Sequence, residues 1–443
     1  MAPLAEDDLI HDWNHQKGGA PRTRPIEFDD ETLRDGLQSP SVIDPPIEEK
    51  LRILHLMEAL ELHALDLGLP GSSARAFQDC LRLAEEIRDQ KMRIRPNGAV
   101  RTLKADVDPL IELSMKVGYP VEAAMFIGSS PIRFYAEGWT LDKVHALTEE
   151  AVSYAVKNGI PVMYVTEDTT RTDPAAIRDL FSTAMRAGAY RICVADTVGH
   201  ITPRGTLDLL RYVRSVVDEV NPAVKIDWHG HSDRGLSIPN ALAAVDAGVD
   251  RIHGTALGIG ERCGNTPMDQ LLVNLKLEHL ITTDLTPLAD YCQTVSRATG
   301  VPIPINYPAM GRDAFRTSTG VHAAAIIKAR DRGARWLADR VYSGVPAEMI
   351  GREQEIEIGF MSGMSNVNYY LRSRGIEPTR ELEEEILARA KQKKSVLDED
   401  EVLTLARTHM EALRAQLERA ARGLEPARPD HPAVAEGGES GAF

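Results

Sequence analysis

Short apolar runs suited to buried strands recur about every 30 residues in the first two thirds of the chain, and each is followed by an amphipathic stretch long enough for a helix. There are eight such runs, at residues 26–32, 64–68, 93–100, 121–127, 161–167, 191–197, 225–231 and 251–258. A closed parallel barrel of about 250 residues is built from eight strand-then-helix units. The sequence therefore predicts an α/β fold of the (β/α)8 TIM-barrel class over residues 25–285.

An open, doubly wound sheet is the competing architecture for alternating strands and helices. Such sheets that bind dinucleotides carry a glycine-rich phosphate turn after the first strand. Here the first strand leads into TLRDGLQ, which is no such turn. The nearest glycine pattern, at 258–264, has one residue too many for GxGxxG and follows the eighth strand. We therefore do not expect a dinucleotide site.

The last third of the chain has a different character, with proline-rich loops followed by charged helical patterns. We expect a helical accessory region over residues 286–423. The polar segments 1–24 and 424–443 are expected to be a mobile N-terminal segment and a disordered tail. About 20 residues after the last predicted helix are too few for a further regulatory domain, so none is expected.

Charge and cysteine content limit the classes of partner and compartment. Lys and Arg number 51 against 66 Asp and Glu, which gives a formal charge of −15 and disfavours binding to nucleic acid or anionic membranes. No apolar run reaches the roughly 18 residues of a membrane span, and the N-terminus lacks the pattern of a signal peptide. Four cysteines without a CxxC pair fit a reducing, cytoplasmic location.

Two histidines mark the end of the seventh predicted strand. His229 and His231 are two residues apart, which places both imidazoles on one face of a strand. Active sites of parallel barrels lie at this end of the strands, and Asp35 follows the first strand at the same end. Two imidazoles and a carboxylate suit a catalytic Mg, Mn, Zn or Fe(II) ion. The alternatives are a pair of core or surface histidines and a turn or capping role for Asp35.

Two further charged residues follow predicted strands. Glu167 ends the fifth strand and is a candidate general base, and the alternative is a solvated turn with Asp168 and Arg171. Arg34 lies where the first strand gives way to a loop, so its guanidinium can turn inward and bind a carboxylate in a bidentate manner.

Four ordered motifs resemble those of the acyl-CoA-dependent alkylmalate synthases. They are DETLRDGLQSP at 30–40, ADTVGHITP at 195–203, HGHSDRGLSIPNALAAVDAG at 229–248 and GTALGIGERCGNTP at 254–267. This family comprises isopropylmalate, citramalate and homocitrate synthases and shares a metal-dependent barrel superfamily with hydroxymethylglutaryl-CoA lyase. The resemblance runs from about residue 25 to about 400, through STGVHAAAIIKA (318–329) and YSGVPAEMIGRE (342–353).

The resemblance implies a condensation of acetyl-CoA with a 2-oxo acid to give a 2-alkylmalate and CoA. The expected enzyme is an acyltransferase most like 2-isopropylmalate synthase, an enzyme of leucine biosynthesis, without its regulatory domain. A homocitrate or citramalate synthase activity is the alternative within the family. A metal-dependent carbon–carbon lyase of the hydroxymethylglutaryl-CoA lyase type is the alternative from another class. A homodimer with an exchanged C-terminal region is also implied.

The resemblance also implies roles for single residues. A divalent metal ion (Mg, Mn or Zn) would be held by Asp35, His229, His231 and Asn265. The 2-oxo acid would be bound by Arg34 and Thr197. The methyl proton of acetyl-CoA would be removed by Glu167 with His322, and both His322 and Tyr342 would come from the accessory region of the other subunit.

The chain departs from the family pattern at several positions near the expected acceptor pocket. Leu37 replaces an acidic residue, Ser232 replaces an asparagine, and Ala124 and Arg133 stand where branched-chain synthases tend to carry histidines. Arg133 is a candidate to bind a second carboxylate of the acceptor, and the alternative is an exposed loop arginine.

Overall fold

The structure is a computed structural model that describes residues 9–10, 14, 25–333 and 335–422 of the 443-residue chain. Contacts divide the chain into two compact units. The first runs to Phe315 and also includes Ser343–Glu353, and the second comprises Arg316–Tyr342 and the chain from Gln354 onward. Both terminal segments, expected to be mobile or disordered, fall largely outside the described residues.

Eight parallel strands form a closed barrel in the first unit, each paired with the next along the chain and the last with the first. They are β1 Glu27–Asp30, β2 Ala64–Asp66, β3 Arg95–Arg101, β4 Glu122–Gly128, β5 Val162–Glu167, β6 Arg191–Asp196, β7 Lys225–Gly230 and β8 Arg251–Gly254. Each strand lies inside the run predicted for it or extends at most one residue beyond that run. The predicted TIM-barrel fold is therefore confirmed.

Ten helices accompany the barrel among the residues described. They are α1 Ile47–Ala59, α2 Ala74–Asp89, α3 Lys104–Val117, α4 Pro131–Glu137, α5 Leu141–Lys157, α6 Pro174–Arg186, α7 Pro203–Val220, α8 Ser237–Asp246, α9 Met268–Leu277 and α10 Leu288–Thr299. The start of α7 shows how the sequence fixes a helix end. The Thr202 hydroxyl accepts a hydrogen bond from the Gly205 amide, and Pro203 occupies the first helical position, where no amide hydrogen is needed.

The main hydrophobic core lies between the strands and these helices. All of these helices except α4 contribute buried apolar side chains to it, for example Ile53 of α1, Leu83 of α2, Leu110 of α3, Leu180 of α6 and Val213 of α7. The helical spacing of such residues places them on one face of each helix, so burial of that face fixes the helix against the sheet.

The helix α10 shows why the accessory region begins later than residue 285. Leu288, Tyr291, Cys292 and Val295 of α10 are fully buried in the same core as the barrel helices. Contacts therefore group the chain as far as Phe315 with the barrel. A boundary at 285 was expected because the strand-then-helix pattern ends there, but the apolar face of α10 completes the barrel's outer layer.

The second unit contains a short parallel pair of strands and five helices among its described residues. They are β9 Arg316–Thr317, β10 Glu355–Ile356, α11 Gly320–Asp331, α12 Arg335–Arg340, α13 Met364–Ser373, α14 Arg380–Gln392 and α15 Glu399–Ala421. Val367, Leu371, Leu382, Ile386 and Val402 form a fully buried core between the last three helices. Across the described residues, no helix combines the length and apolar character needed to cross a membrane.

The amino-terminal half of the barrel interior is filled by ionic side chains. Asp227 of β7 accepts hydrogen bonds from Arg191 of β6 (2.5 Å) and Arg251 of β8 (2.7 Å), and all three are essentially inaccessible to solvent. Arg251 also contacts Glu122 of β4 at 2.8 Å. Burial alone would raise the pKa of Asp227, but the two guanidinium groups hold it below its usual value.

Replacement of Asp227 by alanine is expected to destabilise the barrel severely, because it leaves two buried guanidinium groups without their shared anion. The free energy of unfolding should fall by about 3–5 kcal/mol, as measured by urea denaturation. Asp208→Ala is the control, since that carboxylate is 63% exposed and 3.9 Å from Arg204, and it should cost less than about 1 kcal/mol. Equal losses in the two variants would contradict a structural role for the interior ions.

Candidate active site

A cavity of about 230 Å³ opens at the carboxyl ends of the barrel strands. Its lining combines carboxylates, imidazoles, one arginine and small apolar side chains. The lining residues are Glu31, Arg34, Asp35, Gln38, Asp66, Leu69, Ala99, Ala124, Phe126, Met163, Val165, Glu167, Cys193, Ala195, Thr197, His229, His231, His253 and Glu261. This is the end of a parallel barrel at which loops and strand ends build active sites.

His229 and His231 lie side by side in this cavity, as their spacing predicts. β7 ends at Gly230, and the Nε2 atoms of the two rings are 3.1 Å apart. Asp35 Oδ2 lies 3.7 Å from His229 Nε2 and 3.6 Å from His231 Nε2, and all three side chains are buried. Burial and the neighbouring His229 lower the pKa of His231 to about 4, so this ring is neutral at pH 7 and presents a nitrogen lone pair.

Asn265 completes a group of nitrogen and oxygen donors around these rings. Its amide Nδ2 donates to Asp35 Oδ1 (2.9 Å) and to the carbonyl of Ile259 (3.2 Å), while its Oδ1 is buried and has no hydrogen-bond partner. A buried acceptor without a partner calls for an explanation such as an ion. Two imidazoles, a carboxylate and an amide oxygen fit a divalent cation in their donor chemistry.

A second group of possible metal ligands, Glu31, His229 and His253, adjoins the first. Its chemistry fits a cation poorly. His253 Nδ1 contacts Glu31 Oε1 at 2.8 Å and its Nε2 contacts Asp227 Oδ2 at 3.1 Å, so both ring nitrogens are engaged by carboxylates. Burial alone would lower the pKa of His253, but the hydrogen bond to Asp227 and the charges of Asp29 and Glu31 raise it to about 10. A protonated imidazole has no lone pair for a metal.

The loop that carries Asn265 is held at its start by two hydrogen bonds. After β8, the Ala256 amide donates to the Thr32 hydroxyl (2.8 Å) and the Leu257 amide donates to Asp269 at the start of α9 (2.7 Å). Leu257 adopts a left-handed backbone conformation, with φ of 57°. These contacts hold the loop before any ligand is bound.

Arg34 lies in the loop after β1 and turns into the cavity. Its three guanidinium nitrogens contact three carboxylates, with Nε 2.9 Å from Asp66, Nη1 3.1 Å from Asp35 and Nη2 2.7 Å from Glu31. A guanidinium has five N–H donors, so two remain for a further acceptor after these contacts. The three anions hold the arginine in place for that acceptor.

Glu167 and Thr197 lie at the cavity from the ends of β5 and β6. Burial raises the pKa of Glu167 above its ordinary value, with Arg133 opposing this effect. The Thr197 hydroxyl oxygen accepts a hydrogen bond from the Asp168 amide at 2.8 Å, which leaves its own proton free to donate elsewhere.

Arg133 is not among the described residues that line the cavity. It lies on α4, with Nη2 3.7 Å from Glu167 and Nη1 3.4 Å from Glu137. Gly128 of β4 pairs in register with Glu167, and a Cβ at Gly128 would lie 2.9 Å from Arg133 Nε. The bare backbone of this glycine therefore lets the arginine side chain cross to the acidic residue on the next strand.

One wall of the cavity is apolar. It is built from side chains of β3 to β6, namely Ala99, Ala124, Phe126, Met163, Val165, Cys193 and Ala195. Cys193 is fully buried, and burial raises its thiol pKa well above the usual value, so it behaves as a small apolar side chain.

His322 and Tyr342 belong to the second unit. Their rings stack, with centroids 4.0 Å apart and planes inclined by 30°. Tyr342 is half exposed. The two residues that the family resemblance groups together are thus neighbours in the structure.

Among the cavity residues that the sequence analysis did not identify, Glu31, Asp66 and His253 contact Arg34 or one another. A signal existed for each. Glu31 and His253 lie two residues after Asp29 and Arg251 on their strands, so the period of two places them on the inward face. Asp66 is the single charged residue in the apolar run at 64–68.

Comparison with known proteins agrees with this geometry. A family model described as HMGL-like matches residues 25–295. The chain belongs to the HMGL-like family. Solved structures support the fold: the hydroxymethylglutaryl-CoA lyase of Bacillus subtilis has a TM-score of 0.54 and 18% identity over 64% of this chain and 97% of that one.

Curated relatives of this HMGL-like protein are synthases. A probable 2-isopropylmalate synthase of Methanopyrus kandleri is 32% identical over 370 residues, which is 83% of this chain and 69% of that protein. A homocitrate synthase of the same organism is 31% identical over 82% of this chain and 86% of its own. A 2-isopropylmalate synthase of Sulfurisphaera tokodaii is 31% identical over 80% and 87%. The resemblance to alkylmalate synthases is confirmed.

Gly260→Ala is expected to disrupt the group of possible metal ligands without unfolding this HMGL-like barrel. A Cβ there would lie 2.1 Å from Asn265 Nδ2 and 3.0 Å from Asp35 Oδ1, so the amide must move. Metal affinity, measured by titration against a chromophoric chelator, should fall at least tenfold.

Gly159→Ala is the matched control. This glycine also has positive φ (76°), but its Cβ would meet nothing within 4 Å. It should cost about 1 kcal/mol of stability through backbone strain and leave metal affinity unchanged. Unchanged metal affinity in Gly260→Ala would show that Asn265 and Asp35 do not share a metal site.

Proposed function

We propose that this protein is an acyltransferase that condenses acetyl-CoA with a 2-oxo acid to give a 2-alkylmalate and free CoA. The observation that carries the proposal is the convergence of Asp35, His229 and His231 beside Arg34 and Glu167 in a single cavity. The names of the curated relatives support the same reaction class.

The donor group of Asp35, His229, His231 and Asn265 would hold a divalent ion such as Mg, Mn or Zn. Bound there, the ion supplies a Lewis acid for the keto oxygen of the 2-oxo acid. The two remaining N–H donors of Arg34 bind the carboxylate of the acceptor. The free hydroxyl proton of Thr197 donates to the same substrate.

Glu167 is the proposed base. It removes a proton from the methyl group of acetyl-CoA, and the resulting carbon nucleophile attacks the keto carbon of the acceptor. The keto oxygen then takes up a proton to become the hydroxyl of the product. Water cleaves the thioester and releases CoA as a thiol. The raised pKa of Glu167 makes it a stronger base than an exposed glutamate.

The proposal includes a homodimer in which the accessory regions are exchanged. His322 of the partner subunit then assists Glu167 in proton removal, together with Tyr342 of the partner subunit. The stacking of the two rings within the second unit supports a joint role for the pair.

The apolar wall favours an acceptor with an apolar side chain, of which 2-oxoisovalerate is an example. Burial of a branched alkyl group is worth roughly 1.5–3 kcal/mol, whereas an unpaired carboxylate in the same place costs several kcal/mol. A homocitrate-type acceptor needs a cation for its second carboxylate. Arg133 contacts Glu167 and Glu137 instead, and Arg34 already contacts three carboxylates.

The proposed reaction is tested by release of free thiol from acetyl-CoA in the presence of divalent metal and a panel of 2-oxo acids. We expect 2-oxoisovalerate to exceed 2-oxoglutarate at least tenfold in kcat/KM, and a chelator to abolish the activity. Cleavage of hydroxymethylglutaryl-CoA to acetyl-CoA and acetoacetate, without an acceptor and without thiol release, would instead indicate a lyase. Equal turnover of 2-oxoglutarate would refute the apolar acceptor, and no release with any acceptor would refute the synthase.

The pH dependence of kcat tests the role of Glu167. A base must be ionised, so activity is lost as the pH falls through the pKa of Glu167, which lies above its ordinary value. Arg133→Ala removes the positive charge 3.7 Å away, so this acid limb should move to higher pH by about half a unit to one unit.

Arg133→Lys keeps the positive charge, so its acid limb should lie close to that of the parent protein. Arg204→Ala, which removes a 93% exposed arginine, should cause no shift. If the acid limb of Arg133→Ala coincides with that of the parent protein, Glu167 is not the group that titrates in the reaction.

A further inference from the structure

Glu31 is a buried carboxylate in contact with three functional groups of the cavity. Its Oε2 lies 2.7 Å from Arg34 Nη2 and 2.9 Å from His229 Nδ1, and its Oε1 lies 2.8 Å from His253 Nδ1. Burial alone would raise the pKa of Glu31, but Arg34 and His229 hold it well below its usual value. The residue is therefore an anion at the point where strands β1, β7 and β8 meet.

The contact with His229 determines which ring nitrogen is available to a metal. Nδ1 faces Glu31, while Nε2 faces His231 and Asp35. Glu31 Oε2 is 2.9 Å from this Nδ1 but has no hydrogen bond of good geometry in the structure. A proton on Nδ1 would be stabilised by the nearby carboxylate and would leave the lone pair on Nε2. Carboxylates that contact the distal nitrogen of a metal-binding histidine fix the ring and raise its basicity.

We propose that Glu31 is a positioning residue that orients the ring of His229 for the metal and the guanidinium of Arg34 for the acceptor. The proposal rests on the function given above. Glu31 contacts both His229, on the metal side, and Arg34, on the acceptor side, so a displacement of Glu31 affects both residues.

Glu31 is surrounded by positive groups, which argues against a role as a metal ligand. Arg34 and the protonated His253 both lie within 3 Å of its carboxylate oxygens. A divalent cation added there would face two positive charges at short range. Asp35 contacts a single guanidinium, that of Arg34, and its Oδ2 lies 3.7 Å and 3.6 Å from the Nε2 atoms of His229 and His231.

The position of Glu31 is fixed by side chains of the barrel interior. His253 bridges Glu31 to Asp227, and Asp227 is held by Arg191 and Arg251 in the barrel interior. An unbroken series of buried polar contacts thus runs from the barrel interior to the ring of His229. Side chains held in this way keep a site close to its working geometry.

Glu31→Gln is the test, with Asp66→Asn as its matched control. Both are near-isosteric changes of a buried carboxylate that contacts Arg34, but the other partner of Asp66 is the Gly68 amide, whereas the other partners of Glu31 include His229. We expect Glu31→Gln to weaken metal binding by about 10- to 100-fold and Asp66→Asn to change it by less than about threefold. Both should raise the KM for the 2-oxo acid. Metal dissociation constants are measured with Mn²⁺ on the full-length protein.

The outcomes separate this inference from the proposed function. Metal affinity of Glu31→Gln within threefold of the parent, or an equal loss in Asp66→Asn, would overturn the role of Glu31. A loss as complete as that of Asp35→Ala would make Glu31 a ligand and also overturn it. Unchanged metal binding in Asp35→Ala would overturn the metal site of the proposed function instead.

A second variant covers the case in which Glu31→Gln does not fold. Glu31→Asp keeps the charge but is one methylene shorter, so its carboxylate cannot reach His229 and His253 together. It should weaken Mn²⁺ binding by a smaller factor than Glu31→Gln, and parental affinity in this variant would overturn the proposal.

Discussion

The contact of Asp227 with two buried arginines is the interaction on which the barrel and its cavity both depend. Arg191 and Arg251 reach Asp227 from the neighbouring strands β6 and β8, and His253 extends the series toward the cavity. An interior filled with ions is costly to desolvate and tolerates few alternative packings, because each charge needs its partner in place. The same ions that close the lower barrel therefore also fix the side chains above them.

The cavity inherits an asymmetry from this interior. Strands β7, β8 and β1 direct charged side chains into the cavity. Strands β4, β5 and β6 contribute the apolar side chains of Ala124, Met163, Val165 and Cys193 to it. The cavity therefore has a charged side and an apolar side. Side chains of the apolar wall can therefore change without disturbing the charged side.

The barrel and the histidine pair could be predicted from the sequence because both depend on local periodicity. Strand runs are visible as apolar segments, and two residues along a strand return to the same face, which brought His229 and His231 together. The pairing of Arg133 with Glu167 was not predictable, because it depends on the register of β4 with β5 and on the bare backbone of Gly128. The packing of α10 against the barrel was not predicted for a similar reason. The apolar face of a helix indicates that the face is buried, but it does not identify the surface against which it packs.

The hydrogen bonds that hold the loop after β8 have a consequence for the binding of the proposed metal ion. Ala256 and Leu257 are hydrogen-bonded to Thr32 and Asp269, neither of which belongs to the proposed ligand set, and Asn265 is already bonded to Asp35. Folding and loading are then separate events, unlike in small zinc domains that unfold when the ion is withdrawn. Under the proposed function, a barrel built in this way would exchange one divalent ion for another while it stays folded.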